Sequence, residues 1–259
     1  MPPPSSQDSN SGRDPSPPLP VTPTVLVIGG SGVIGRAISL RFAEERWRVG
    51  VHYRTRRSET EETIRLAQEL GGEAKAFQAD VRDFQQVHHM VQTLKQEWDR
   101  LDVLVCAAGQ IVNTLAVRLS PEIWEEIIHT NLTGVFFCLK ACGPILLSQG
   151  EGSIIVIGSL ASMQGTTGQT AYAASKAGLL GLVKTAAREW GPGNIRVNAI
   201  FPGWHQSTLS GESFPTTSNL GNHILGRTSD LKEVANSVYQ IARLRDVTGQ
   251  IFNLDSRIW

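Results

Sequence analysis

A cluster of glycines near the start of the chain is the first stretch whose residue types could do chemistry. Glycines at 29, 30, 32 and 35 stand between the branched apolar run Val25 to Ile28 and a segment with helical periodicity from Arg36. A run of that kind suits a strand buried on both faces, so the glycines form a strand-to-helix turn. The first amides of a helix have no internal partner, and glycine lets a phosphate approach them closely. The stretch therefore predicts a phosphate-binding turn.

Length and composition restrict the partners that such a turn could serve. The 259 residues carry 24 basic and 24 acidic side chains, and 41% are hydrophobic, which is ordinary for a globular protein with a large core. The neutral balance argues against nucleic acid as a partner, and no apolar run approaches the roughly 20 residues that span a bilayer. We expect a soluble, cytoplasmic protein with one domain over residues 24–259. Residues 1–23 are rich in Pro and Ser and predict a disordered tail.

The cysteines and histidines form no pattern typical of a metal site. Cys106, Cys138 and Cys142 lie in apolar surroundings, and their odd number favours buried thiols in a reducing compartment. His88 and His89 are adjacent on a predicted helix, and the other histidines are scattered. We interpret the histidines as solvated or packing residues and predict no metal.

Strand-like and helix-like segments alternate along the rest of the chain. Such alternation predicts a doubly wound α/β fold, in which helices cover both faces of a single parallel sheet. Ligands bind such sheets beyond the carboxyl ends of the strands, where the glycine turn also lies. Beyond the turn, the predicted strands are 47–53, 73–80, 101–109, 152–159, 194–203 and 249–255. The predicted helices are 58–70, 83–98, 120–147, 171–190 and one from about 230.

Several short motifs follow the glycine turn in order. They are "ADV" at 79–81, "CAAG" at 106–109, Asn131 in "HTNLTGVF", Ser159 in "IVIGSLAS", "YAASK" at 172–176, "IRVNAIFPG" at 195–203 and "TGQIFNLD" at 248–255. With the turn, they make residues 24–255 resemble the short-chain dehydrogenase/reductase family, most closely its 3-oxoacyl-thioester (β-ketoacyl carrier protein) reductases. The resemblance implies a Rossmann-type fold, an oxidoreductase activity and a nicotinamide cofactor.

The resemblance also implies a catalytic tetrad of Asn131, Ser159, Tyr172 and Lys176. Reducing a ketone requires a proton at oxygen, and a free phenol with a pKa of about 10 is a poor donor near neutrality. Lys176 follows Tyr172 by one helical turn, and its charge, together with that of the nicotinamide, would lower the phenol pKa. Ser159 would donate a hydrogen bond to the carbonyl oxygen. Asn131 would interrupt its long helix and hold a water that relays protons to Lys176.

The glycine turn departs from the pattern usual in this family. Compact members have glycine where this chain has Val33, whereas Gly32 restores the G-x-G-x-x-G spacing of longer members. Gly32 also replaces a basic residue that NADP-dependent relatives often carry. Asp80 and Val81 are expected at the adenine. The full set of implied cofactor contacts is Gly29, Ser31, Gly32, Val33, Ile34, Gly35, Tyr53, Arg54, Asp80, Val81, Ala107, Ala108, Gly109, Tyr172, Lys176, Pro202 and Gly203.

Cofactor preference is predicted from the end of the second strand. Dinucleotide folds that prefer NAD place an acidic residue there, but this chain has Tyr53 followed by Arg54, Arg56 and Arg57. A guanidinium can hold the 2'-phosphate through two parallel hydrogen bonds. We therefore predict NADPH (NADP+), with Arg54 as the main contact. The alternative is an exposed basic loop without a ligand.

The substrate is predicted only as a class. Residues 204–227 are expected to form a mobile lid, in which Trp204 and His205 stand where relatives often have apolar residues. Asp255-Ser256-Arg257 replaces the family's common Asp-Gly-Gly. We predict reduction of a β-keto substrate, 3-oxoacyl or polyketide-like, as a small molecule or bound to a carrier. The alternatives are a sugar or steroid alcohol dehydrogenase and a non-catalytic NADP(H)-binding regulator. Helix 171–190 has small and apolar residues on several faces, which predicts a homotetramer, with a dimer as the alternative.

Overall fold

Seven parallel strands form the centre of the molecule. The computed structural model describes residues 22–206, 220 and 222–257, so the predicted tail up to residue 21 and residues 207–219 and 221 of the predicted lid lie outside it. The strand order is β3-β2-β1-β4-β5-β6-β7. The strands are β1 (Thr24–Ile28), β2 (Arg48–Tyr53), β3 (Glu73–Gln78), β4 (Val103–Cys106), β5 (Gly152–Ile157), β6 (Ile195–Phe201) and β7 (Ile251–Asn253).

Helices cover both faces of this sheet, which confirms the predicted doubly wound fold. One core cluster packs α3, α5 and α7 against the sheet, and a second packs α1, α2 and α8 against its other face. The helices are α1 (Val33–Glu44), α2 (Arg57–Glu69), α3 (Phe84–Trp98), α4 (Pro121–Ile128), α5 (Gly134–Gln149), α6 (Ala161–Gln164), α7 (Thr170–Trp190) and α8 (Leu231–Arg243). The short helix α6 was not predicted.

The single helix predicted for 120–147 is divided into α4 and α5. Its start is confirmed, because the Ser120 hydroxyl accepts a hydrogen bond from the Ile123 N–H at 3.4 Å and Pro121 occupies the first turn. Between the two helices, His129–Thr133 forms a π-helical segment that contains Asn131. Such segments shift the backbone hydrogen bonds and are frequent at functional sites. The expected interruption at Asn131 is therefore present.

The same region is the most apolar helical part of the described chain. By length and composition, Pro121–Gln149 could cross a membrane, with a mean hydropathy of 1.4, but 56% of that window is buried inside the protein. This burial is typical of a core helix. Cys138 and Cys142 lie within it, and both thiols, like that of Cys106 in β4, are free and buried.

Strand register brings the ends of β1 and β4 together at the carboxyl edge of the sheet. Ile28 pairs with Cys106, and the Ala107 N–H donates to the Ile28 carbonyl at 2.9 Å. Residues 107–109 were predicted as strand but form a turn beside the glycine turn, since β4 ends at Cys106. β5 ends at Ile157, which leaves Ser159 at the same edge.

Candidate active site

The glycine turn is packed so closely that side chains are excluded from two of its positions. A Cβ on Gly29 would lie 2.7 Å from the Ala108 nitrogen, and Gly29 has a φ of +80°. A Cβ on Gly35 would lie 2.2 Å from the Gly29 carbonyl oxygen. The glycines therefore let α1 start directly against the end of β1 and the 107–109 turn.

The amino terminus of α1 fits the phosphates of a dinucleotide. Gly32 is its N-cap and supplies no side-chain hydrogen bond to the first turn. The amides of Val33, Ile34 and Gly35 therefore lack a side-chain cap, and their dipoles favour an anion. This turn lines the same cavity as Pro202 and Gly203, two further residues predicted at the cofactor.

His52 supports the glycine turn from β2. Its Nδ1 lies 3.0 Å from the Gly29 nitrogen and its Nε2 lies 3.1 Å from the Ala79 carbonyl oxygen. Burial lowers the pKa of His52 to about 4, so the ring is neutral at pH 7. The interpretation of the histidines as solvated or packing residues missed this role. A polar residue within the buried pattern of a central strand was the available signal.

The residues expected at the adenosine part of the cofactor differ in their exposure. Tyr53 is buried, and Arg54 at the end of β2 is exposed and takes part in no ion pair with the described residues. Arg57, in contrast, pairs with Glu61 at 2.8 Å. Since Arg54 has no such partner, it is the better placed of these two arginines to take an anion.

The two residues predicted at the adenine, Asp80 and Val81, are engaged within the protein. The Asp80 carboxylate accepts hydrogen bonds from Arg82, including one of 2.6 Å, and these lower the Asp80 pKa. Val81 is buried and packs against Gly134 of α5. Their contact with adenine stays a prediction.

Asn131 is held in place by Gln110, a residue that the sequence analysis did not identify. The Asn131 Oδ1 accepts from the Gln110 N–H at 2.7 Å, and its Nδ2 donates to the Gln110 carbonyl at 2.8 Å and to the Ser175 hydroxyl at 3.1 Å. The Gln110 side chain in turn accepts from Thr130 at 2.8 Å and donates to Glu126 at 3.2 Å. The Asn131 side chain is thus fixed against the turn that follows β4.

Tyr172 and Ser159 line the same cavity at the carboxyl edge of the sheet. α7 presents Tyr172, and the end of β5 presents Ser159. Burial raises the pKa of Tyr172, whereas the nearby Ser159 hydroxyl acts in the opposite direction. Burial is the larger of the two effects, so the net shift is upward, and the lowering by Lys176 and the nicotinamide stays a prediction. The Ser159 hydroxyl also accepts from the Ala161 N–H at 3.2 Å, which orients it.

Lys176 lies one turn after Tyr172 on the same side of α7. Its Nζ donates to the Ile157 carbonyl at 2.7 Å and lies 5.8 Å from the centre of the Tyr172 ring. Burial lowers the Lys176 pKa to about 8, so the ammonium persists at neutral pH. A Cβ on Gly109 would lie 3.4 Å from Asn131 Oδ1 and 3.8 Å from Lys176 Nζ. Gly109 thus lies beside both polar groups.

One cavity joins most of the predicted cofactor and catalytic residues. From the predicted set, its lining includes Gly32, Val33, Ile34, Gly35, Ala107, Gly109, Ser159, Tyr172, Lys176, Pro202 and Gly203. Predicted residues outside its lining are Gly29, Ser31, Tyr53, Arg54, Asp80, Val81, Ala108 and Asn131. The wall also contains Ile111, Asn113, Gln164, Thr166, Gln169, Trp204, His205 and Arg257, none of which was predicted as a site residue. Among the described residues, no group of three His, Cys, Asp or Glu side chains could hold a metal ion.

Comparisons with known proteins show which family the chain belongs to. Residues 23–218 match the family model described as short chain dehydrogenase. The chain belongs to the short-chain dehydrogenase family. Accordingly it is an oxidoreductase that acts on an alcohol or carbonyl group, and the family implies a nicotinamide cofactor.

Curated relatives within the short-chain dehydrogenase family cover nearly the whole chain. A 3-oxoacyl-[acyl-carrier-protein] reductase of Synechocystis sp. is 36% identical over 233 residues, which are 89% of this chain and 94% of the relative. The enzyme of that name from Staphylococcus aureus is 34% identical over 245 residues, or 93% and 100% of the two chains. Among solved structures, a Sinorhizobium meliloti protein assigned to the short-chain alcohol dehydrogenases aligns with a TM-score of 0.86 and 30% identity, covering 90% of this chain and 95% of that one. The resemblance inferred from the sequence is confirmed.

Proposed function

We propose that the protein is an NADPH-dependent ketone reductase that converts a β-keto substrate, 3-oxoacyl or polyketide-like, to its hydroxy product. The observation that carries the proposal is that Ser159, Tyr172 and Lys176 line the same cavity as the amino terminus of α1. A cavity for binding alone needs no phenol beside an ammonium. A reductase needs both a cofactor site and a proton donor.

Each residue of the tetrad has a distinct part in this reaction. When bound, the nicotinamide supplies the hydride. Tyr172 gives its hydroxyl proton to the ketone oxygen, and Ser159 donates a hydrogen bond to the same oxygen as charge builds there. The Lys176 ammonium favours the phenolate that Tyr172 becomes. Asn131, clamped by Gln110, shapes the π-helical segment through which a water reaches Lys176.

NADPH is proposed because of the cation at the end of β2. Arg54 is exposed there and Gly32 leaves no basic side chain in the glycine turn, so Arg54 is the proposed partner of the 2'-phosphate. The two curated relatives support the substrate class, since both are named for reduction of a 3-oxoacyl group on a carrier protein. Balanced charge and buried thiols support a cytoplasmic location.

The test is to follow nicotinamide absorbance with NADPH and a panel of β-keto thioesters, diketones, cyclic ketones, sugars and steroid ketones. Turnover of the β-keto thioesters in preference to the others is expected. Preference for sugars or steroids would move the protein to the alternative dehydrogenase class. Tight NADPH binding without turnover of any compound would instead support a regulator that binds NADP(H).

A further inference from the structure

Part of the cavity wall is built by two chain segments that leave the sheet side by side. β6 and β7 are paired as far as Phe201 and Asn253, and residues beyond each strand, Trp204 and Arg257, both line the cavity. The guanidinium carbon of Arg257 lies 5.3 Å from the centre of the Trp204 ring. This distance is within the range of a cation–π contact, so the two side chains form one stacked wall.

Asp255 holds the guanidinium of Arg257 from within the protein. Its carboxylate accepts hydrogen bonds from Arg257 Nε at 2.9 Å, from Nη2 and from the backbone N–H at 3.0 Å. The Asp255 side chain is 1% exposed and that of Arg257 is 19% exposed. Burial alone would raise the Asp255 pKa, but Arg257 outweighs it and holds that pKa below its ordinary value. Asp255 is therefore ionised, and the pair is a partly buried ion pair.

The turn that carries this pair is also closed by the side chain of Asn253. Asn253 Nδ2 donates to the Arg257 carbonyl at 3.0 Å, and its Oδ1 accepts from the Asp255 N–H at 3.1 Å. Arg257 is thus oriented before any ligand arrives, so little side-chain entropy remains to be lost on binding. The Asp255 pair uses Nε and Nη2, and it leaves the Nη1 end of the fork outside the pair.

The charged side chains that line the cavity are both cations. Among the described residues that line it, Lys176 and Arg257 are the cationic side chains, and no Asp or Glu is present. Lys176 is directed at the Ile157 carbonyl beside Tyr172. The Nε2 atom of His205 lies 3.0 Å from the Pro202 carbonyl oxygen. Burial lowers the pKa of His205, which favours the neutral ring. The amides at the start of α1 offer donors for the diphosphate of a cofactor, and Lys176 acts beside Tyr172. Arg257 is therefore a cation that neither the cofactor diphosphate nor the proton transfer requires.

We propose that Arg257 determines substrate specificity by binding an anionic oxygen group, a carboxylate or a phosphate, carried by the carbonyl substrate. Trp204 and Asp255 hold the guanidinium so that its outer end faces that group. The inference rests on the proposed reductase function, which supplies the carbonyl substrate.

The test uses pairs of substrates that differ in a charged group. Acetoacetate and its methyl ester form the carboxylate pair, and acetoacetyl-CoA and the acetoacetyl N-acetylcysteamine thioester form the phosphate pair. In wild type the charged member of at least one pair is expected to have the higher kcat/KM. Arg257→Gln should lower that value by about tenfold to a hundredfold, the range of one charge-assisted hydrogen bond, and leave the neutral member and the NADPH Kd unchanged. Whichever pair responds identifies the source of the anion.

Three further variants separate recognition from folding. Arg257→Lys keeps the charge and should retain part of the preference. Arg257→Gln leaves the buried Asp255 without its counter-ion, so the double variant Asp255→Asn/Arg257→Gln supplies the same test in a protein without that unpaired charge. Arg245→Gln changes an exposed arginine outside the cavity and should leave all rates unchanged.

Failure of the inference can be told apart from failure of the proposed function. Titration of each compound into the protein saturated with NADP+ measures binding without turnover. Arg257-dependent binding of a charged compound without reduction would reject the reductase and keep the inference. The inference is overturned if wild type shows the same kcat/KM and the same affinity for the charged and the neutral member of each pair. A weaker NADPH affinity in Arg257→Gln also overturns it, because Arg257 would then serve the cofactor.

Discussion

The Nδ1 atom of His52 accepts a hydrogen bond from the backbone N–H of Gly29, with 3.0 Å between the two nitrogens. The other ring nitrogen faces the Ala79 carbonyl at 3.1 Å. A ring that accepts at Nδ1 must carry its proton on Nε2, so this single neutral tautomer satisfies both partners. The glycine turn after β1 is thereby connected to the segment that follows β3.

This arrangement predicts an acid-sensitive contribution to stability. The folded pKa of His52 is about 4, below its ordinary value of 6.5, so the folded protein takes up the proton later than the unfolded chain. The stabilisation is complete above pH 6.5 and is lost as the pH falls through 4, a change of about 3 kcal/mol. Urea unfolding of wild type and His52→Gln at several pH values should show their difference shrinking toward acid. His89→Gln, at an exposed position, is the control; a parallel pH dependence of wild type and His52→Gln would contradict the prediction.

Removal of the Tyr172 hydroxyl should abolish most of the turnover but not cofactor binding. Tyr172→Phe is expected to lower kcat by at least about a hundredfold, the lower range of general acid catalysis. Tyr239→Phe is the matched control, because Tyr239 packs against Phe42 of α1 and does not line the cavity. The measurement is the steady-state kcat and the NADPH Kd of both variants. Activity retained in Tyr172→Phe would remove Tyr172 from its role.

Lys176→Ala should damage both turnover and NADPH affinity. The ammonium is expected to hold the nicotinamide ribose as well as to favour the phenolate of Tyr172. Because burial lowers the Lys176 pKa to about 8, the charge is present below that pH, and NADPH affinity of wild type should fall above it. The variant should lack this pH dependence. Lys184→Ala, at an exposed position of α7, is the control, and an unchanged NADPH Kd in Lys176→Ala would exclude the ribose contact.

Arg54→Ala should weaken NADPH and leave NADH almost unchanged. A charge-assisted pair is worth about 1.5 to 3 kcal/mol, or roughly one to two powers of ten in affinity, and NADH has no 2'-phosphate to lose. Tyr53→Asp should shift preference toward NADH. The ratio of kcat/KM for the two cofactors measures both effects, with Arg65→Ala on α2 as the control. Equal harm to both cofactors, or a wild type that prefers NADH, would show that the glycine turn sets the preference instead.

The exposed small residues of α7 predict assembly through this helix. Ala174, Ala177 and Gly181 are exposed at helical spacing, and a Cβ on Gly181 would meet nothing within 4 Å. Such a surface lets a second helix approach closely, so we expect a homotetramer, or a dimer, at micromolar concentration in sedimentation velocity. Ala177→Arg should reduce the assembly to smaller species, whereas Arg188→Ala near the end of α7 should not. A monomeric wild type would refute the prediction.

Features that depend on local pattern were predictable from the sequence, and features that depend on register were not. The buried runs of β1 and β4 and the spacing of Tyr172 and Lys176 are visible in the chain itself. The contacts of His52 with Gly29 and of Gln110 with Asn131 require the alignment of distant segments to be known first. In the same way, the sequence shows that Asp255-Ser256-Arg257 departs from the family's usual Asp-Gly-Gly. The stacking of Arg257 on Trp204 follows only from the pairing of β6 and β7.

The strand order has a consequence for how the protein is made. β1 is the first strand of the sheet to be synthesised, yet it lies between β2 and β4. The glycine turn therefore leaves the ribosome before the 107–109 turn that supports it, and Arg257 follows every other residue that lines the cavity. Pairing of strands so distant in the chain is slow, and unpaired edges are exposed to aggregation meanwhile. The nascent chain thus carries the glycine turn long before it carries Arg257, the residue proposed to select the substrate.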